Sequence, residues 1–180
     1  TFRASGMDLE LLDWLNTYTF PQEARYEDTE FAKEAYSIFT EDMKKSPNTR
    51  ACIFGTLHVP ATEILMEQLD KTGIKAMVGK VNMDRNGSPQ LQEESAQASA
   101  DATIQWIEDT LDKFENVKPI LTPRFTPSCS DELMEKLSEI QKKYHLPMQS
   151  HLSENFGEIA WVKELCPNTH FYGEAYSQFD

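Results

Sequence analysis

Four short apolar segments, each followed by a stretch of helical period, constrain this chain more than anything else in it. They are RACIFGTL (50–57), KAMVGKVNM (75–83), VKPILTP (117–123) and LPMQSHL (146–152). Each has strand length and reads as a buried strand. The stretches between them read as amphipathic helices. Residues 61–73 carry Ile64, Leu65, Gln68 and Leu69 at helical spacing and end in Gly73, a natural C-cap. Residues 91–117 predict one long helix with Ile104, Ile107, Leu111 and Phe114 on one face. Residues 130–144 open on Ser130 as an N-cap and repeat Leu133, Leu137 and Ile140, and a further helix over 155–167 follows the last strand. Ahead of the first strand, 7–18 and 28–46 predict two helices joined by a loop at 19–27.

Strand and helix thus alternate about four times, which argues for right-handed βαβ units and a parallel sheet. A doubly wound sheet and a (β/α)8 barrel both fit. No glycine-rich phosphate loop follows any strand, which counts against a nucleotide-binding doubly wound fold. With no internal repeat or flexible linker, residues 1–180 read as a single domain. Four βα units make only half a barrel, so the expectation is a piece of a longer protein. The start at Thr1 without methionine and the end in YSQFD without a closing element point the same way.

Composition narrows the partners. A chain that is 39% hydrophobic and 11% aromatic is expected to fold. A net charge of -13 argues against nucleic acid or an anionic membrane as partner. No apolar run reaches membrane-spanning length and no signal peptide opens the chain. Cys52, Cys129 and Cys166 are odd in number, far apart and outside any CxxC spacing. These features predict reduced thiols in a cytoplasmic protein, with Cys52 inside a strand.

In parallel α/β folds, chemistry gathers at the C-terminal ends of the strands. Those ends hold His58, then Asn82, Asp84 and Arg85, then Arg124 and Phe125, then His151 and Glu154. A neutral imidazole at a strand end suits a zinc ligand. Glu154 cannot share a strand face with His151 at a period of two, but a turn after Leu152 can bring it over the same mouth. A carboxylate beside a metal-activated water suits proton transfer. Equally, Glu154 can simply open the next helix, where a carboxylate suits the dipole. Arg124 offers a rigid fork of donors and Phe125 a flat face, which together suit a planar heterocycle carrying a carbonyl. The plainer alternative is a surface ion pair beside a core phenylalanine. His145 sits before its strand and His170 in a loop, and both read as structural. No HxH or HExxH spacing occurs.

TPRFTPSCSDELM and LPMQSHLSENFGEIAWVKEL together resemble the guanine deaminases of the amidohydrolase superfamily, and GKVNMDRN and DLELLDWLNTYTFPQEARY resemble the same family in the same order. The resemblance runs through nearly the whole chain. It implies a zinc-dependent (β/α)8 barrel (TIM barrel) that hydrolyses guanine to xanthine and ammonia, a homodimer at full length. Under it, His151 matches the zinc ligand ending the fifth barrel strand, Glu154 the proton shuttle, Arg124 the arginine on the guanine carbonyl and Phe125 the aromatic beside the base. His58 and Asp84 match no ligand. The family's HxH pair should precede Thr1, and its further histidine and aspartate should follow Asp180. The chain would then hold barrel strands two to five and one ligand of a single zinc ion, and alone it is expected to be inactive. A sister deaminase or chlorohydrolase acting on another N-heterocycle, and a non-catalytic α/β binding module, are the alternatives.

Overall fold

The computed structural model describes residues 5–179. Thr1 and Asp180, which bound the expected domain, lie outside them. The first element is not the pair of helices joined by a loop that the sequence predicts. Helix α1 (Leu11–Trp14) passes through a π-turn (Leu15–Thr19) into α2 (Phe20–Ala24) and a 3-10 turn (Arg25–Glu27). Pro21 in this segment would be a break inside a regular helix. It sits at the start of α2, directly after the π-turn, where a missing N–H costs little. Helix α3 (Thr29–Lys45) then begins at Asp28, whose carboxylate accepts from the N–H groups of Glu30 and Phe31.

Strand β1 (Arg50–Phe54), helix α4 (Val59–Asp70), strand β2 (Lys75–Gly79), helix α5 (Ala96–Thr110) and strand β4 (Val117–Pro119) follow as βαβ units. Between β2 and α5 lies the short β3 (Val81–Asn82), and after β4 comes β5 (Thr122–Pro123). The sheet order is β1-β2-β4, all parallel, with β3 paired to β5. Val78 pairs with Pro119 and Val81 with Thr122, a constant offset of 41 residues (119 − 78 and 122 − 81). The second and third predicted strands are therefore each one extended segment with a brief interruption. Gly79 marks the break in the second. A Cβ there would lie 1.7 Å from the Thr122 hydroxyl, so only glycine admits this approach.

The fourth predicted strand, 146–152, is not a strand but a single parallel bridge between Leu121 and Met148. Leu121 N–H donates to Pro147 O at 3.0 Å and Gln149 N–H to Leu121 O at 2.9 Å. The next rung would need an N–H from residue 123, which is proline, and the ladder stops. His151 N–H instead reaches Arg124 O at 3.2 Å.

Helix α6 (Asp131–Tyr144) starts at Ser130, whose side chain accepts from Leu133 N–H, as expected. His145 ends it in the left-handed region, consistent with a structural role. Helix α7 (Phe156–Leu165) and the short α8 (Glu174–Ser177) complete the described chain. Helix α5 is shorter than predicted, beginning after Ser95 because Glu93 is drawn back under the sheet, as described below.

Helices α3 to α6 pack in succession over one sheet face, burying Leu65, Met66, Leu69, Val78, Trp106, Ile107, Leu133 and Leu137. Arg50, Cys52, Lys75 and Met77 on the other face are exposed. Strands added in chain order, with no reversal and helices on one side, distinguish this winding from a doubly wound sheet. Cys129 is buried, and desolvation pushes its thiol up to about 12. No helix among the described residues is long and apolar enough to cross a membrane.

Candidate active site

The C-terminal ends of the strands frame a cavity of about 310 Å³. Arg124, Phe125, His151 and Glu154 all line it, with Trp14, Leu15, Glu23 and Phe54. The sequence had placed the first four at one rim, and the fold brings them to one hollow.

Arg124 follows β5 and is only 8% exposed, which rules out a surface ion pair. Its Nη1 donates to Glu23 Oε2 at 2.7 Å, and its guanidinium carbon lies 4.9 Å from the Phe20 ring centroid. Both partners come from α2, about a hundred residues earlier. Phe125 is buried in a small apolar cluster with Leu15, Phe20, Val81, Met83 and Leu91. It is thus a core residue that also walls the cavity.

His151 is fixed by two bonds to one carbonyl. Its N–H and its ring Nδ1 both meet Arg124 O, the latter at 2.7 Å. A carbonyl only accepts, so Nδ1 carries the proton and the Nε2 lone pair is left for a ligand. The ring lies against Phe54, centroids 4.3 Å apart. The ring is thus held in one orientation from both its Nδ1 edge and its face. Among the described residues, however, no group of three or more His, Cys, Asp or Glu side chains could hold an ion.

Ser153 takes φ +56° and turns the chain after Leu152, bringing Glu154 over the cavity that His151 lines. Glu154 does not begin the helix, because Asn155 is the N-cap and forms a capping box with Glu158. The fully buried Glu158 was invisible to sequence reasoning. Its Oε2 accepts from the N–H groups of Glu154 and Asn155, at 2.7 and 3.2 Å, and its Oε1 from Tyr172 OH at 2.6 Å. Tyr176 braces the other side, donating to His151 O at 2.6 Å and accepting from Thr126 N–H at 3.1 Å.

His58 and Asp84 do not join the site. His58 is the N-cap residue of α4, and burial lowers its pKa against the opposing pull of Glu27 and Glu23. Asp84 is occupied by the backbone N–H and hydroxyl of Ser130. His170 pairs with Glu174 on the surface. Glu23 was missed because its segment reads as a loop. The buried polar atoms Thr19 Oγ1 and Glu23 Oε1 have no protein partner and belong to residues that line the cavity.

The sequence profile of the Amidohydrolase family matches residues 2–177. The chain belongs to the amidohydrolase family. This amidohydrolase chain is 43% identical over 178 residues to the guanine deaminase of Rattus norvegicus, covering 98% of itself and 39% of that protein. Among solved structures, the guanine deaminase of C. acetobutylicum with guanine bound in its active site superposes with a TM-score of 0.94 at 49% identity, over 98% of this chain and 42% of that one. A zinc-bound adenosine deaminase from Xanthomonas campestris shares the fold alone, at TM-score 0.74 and 17% identity over 96% of this chain and 37% of that one. The chain spans about two fifths of the length of the relatives it matches.

Proposed function

We propose that the protein to which this chain belongs hydrolyses guanine to xanthine and ammonia. The observation that carries the reading is the convergence of His151, Glu154, Arg124 and Phe125 on one cavity. Similarity at 49% identity to a guanine-bound deaminase supports it. Residues 1–180 would make up one partial (β/α)8 barrel domain at about strand positions two to five, the last of them reduced to the single bridge at Met148, with the bare sheet face that carries Cys52 and Met77 as the barrel interior.

His151 would hold a zinc ion through Nε2, together with ligands from outside this chain. When bound, zinc acts as a Lewis acid that makes water a nucleophile at neutral pH. The chain's own residues do the rest. Arg124 donates to the guanine carbonyl and fixes the ring's orientation, and Phe125 walls the base. Glu154 takes a proton from the attacking water and delivers protons to a ring nitrogen and the leaving ammonia. Its position on a turn outside the helix gives the carboxylate freedom to alternate between these sites.

The deciding experiment is turnover by the intact protein of guanine, set against adenine, cytosine and an aminated triazine. Guanine is expected to exceed each rival by at least about a hundredfold in kcat/KM, because a site built to pair a carbonyl rejects adenine and the triazine, which lack it, and cytosine has only one ring to set against the arginine and the aromatic wall. Preference for a triazine would transfer the assignment to a sister hydrolase. The 180-residue chain alone, with one ligand, is expected to retain no stoichiometric zinc after dialysis, measured by elemental analysis.

A further inference from the structure

We infer that Glu23 is a positioning residue for substrate recognition, acting through Arg124. This rests on the guanine reading above. An arginine has five N–H donors on a long chain, and it selects a carbonyl only if the fork is held in one orientation. Among the described residues, the only carboxylate that holds Arg124 is Glu23, at 2.7 Å from Nη1. The other side-chain contacts of the guanidinium are the Phe20 ring beneath it and Met83 Sδ at 4.0 Å, neither of which sets its angle. Both members of the pair are shielded, with side-chain exposures of 10% and 14%, so water screens the attraction weakly.

The way α2 is delivered supports the same reading. The π-turn at Leu15–Thr19 shifts the register of the helix immediately before Phe20 and Glu23. Phe20 then lies under the guanidinium while Glu23 meets its end, one helical turn apart, so the two contacts arrive together. Glu23 also lines the cavity itself, which places the pair at the wall where the ring is bound. Glu23 therefore sets which donors of Arg124 face the substrate.

The test uses the intact zinc-loaded protein, with guanine as substrate and 2-aminopurine, which lacks the carbonyl, as competing ligand. Glu23→Ala is expected to raise the guanine KM at least about tenfold with kcat within about threefold, while the 2-aminopurine Ki moves less than about twofold. Glu23→Gln keeps an oxygen that accepts from Arg124 and is expected to restore most of the guanine affinity. A merely structural glutamate would move both ligands alike, and an unchanged guanine KM or an equal shift in both constants overturns the inference. If the Ala variant does not fold, Glu23→Asp answers the question, because it keeps the charge but shortens the reach by one methylene. Wild-type turnover is measured first. Its absence removes the guanine reading and this inference with it, whereas wild-type turnover with an indifferent Glu23→Ala removes the inference alone.

Discussion

In the intact protein, Glu154→Gln is expected to lower guanine deamination on the order of 10³-fold, about 4 kcal/mol of transition-state stabilisation, with zinc content unchanged. The amide has the shape of the carboxylate but cannot carry a proton between water, ring and ammonia. The surroundings explain why zinc should survive. Glu154 is anchored through its backbone N–H on Glu158, so replacing its side chain leaves the turn at Ser153 intact. The His151 ring is held separately, on Arg124 O. Single-turnover kinetics with elemental analysis of the same sample separate the two effects. Substantial deamination by a zinc-replete Glu154→Gln protein would falsify the proton-transfer role.

The largest effect on stability is expected at a charged pair that lies beneath the rim. Lys80, fully buried between β2 and β3, pairs with Glu93. Burial lowers the Lys80 pKa while Glu93 pulls it back up. The other oxygen of Glu93 accepts from Met83 N–H at 3.0 Å and from the Ser99 hydroxyl, and Ser99 with Thr103 receives the amide of Asn82. Glu93→Ala removes the acceptor of Lys80, of Met83 N–H and of the Ser99 hydroxyl, and leaves a buried ammonium. It is expected to cost about 3–5 kcal/mol, read as a lower Tm of the intact protein. Lys80→Met combined with Glu93→Leu should recover much of that loss, because no lone charge remains. A Tm for Glu93→Ala within a degree or two of wild type would show that the pair is not needed. The network also reaches the site, since Asn82 O accepts from Arg124 N–H at 3.1 Å.

The barrel-like winding was legible because alternating apolar strands and amphipathic helices leave few topologies. The fourth strand was not, because its failure depends on Pro123 in a neighbouring strand, and strand propensity reads one segment at a time. The loop assigned to 19–27 failed for the converse reason. Pro21 is a breaker by itself, but it is harmless at the first turn that follows a π-turn. At the site, His151 with Glu154 and Arg124 with Phe125 were legible because each pair is nearly adjacent in sequence. Glu23, Glu158 and Tyr176 act across long separations, and nothing local marks a glutamate as the one that will be buried. Lys80 and Glu93 show the same limit: two charges in a hydrophilic chain read as surface until the fold removes the water.

Arg124 O receives both the N–H and the ring of His151. On the proposed reading, the residue that chooses the substrate and the residue that grips the ion meet at one main-chain atom. Descendants of this protein can therefore exchange the side chain at 124, together with its partner at 23, and sample new rings while the imidazole stays put. An insertion or deletion between β5 and the 3-10 turn that follows it would move that oxygen and unseat the ion. Selectivity here is free to drift by substitution, whereas the length of this loop is not.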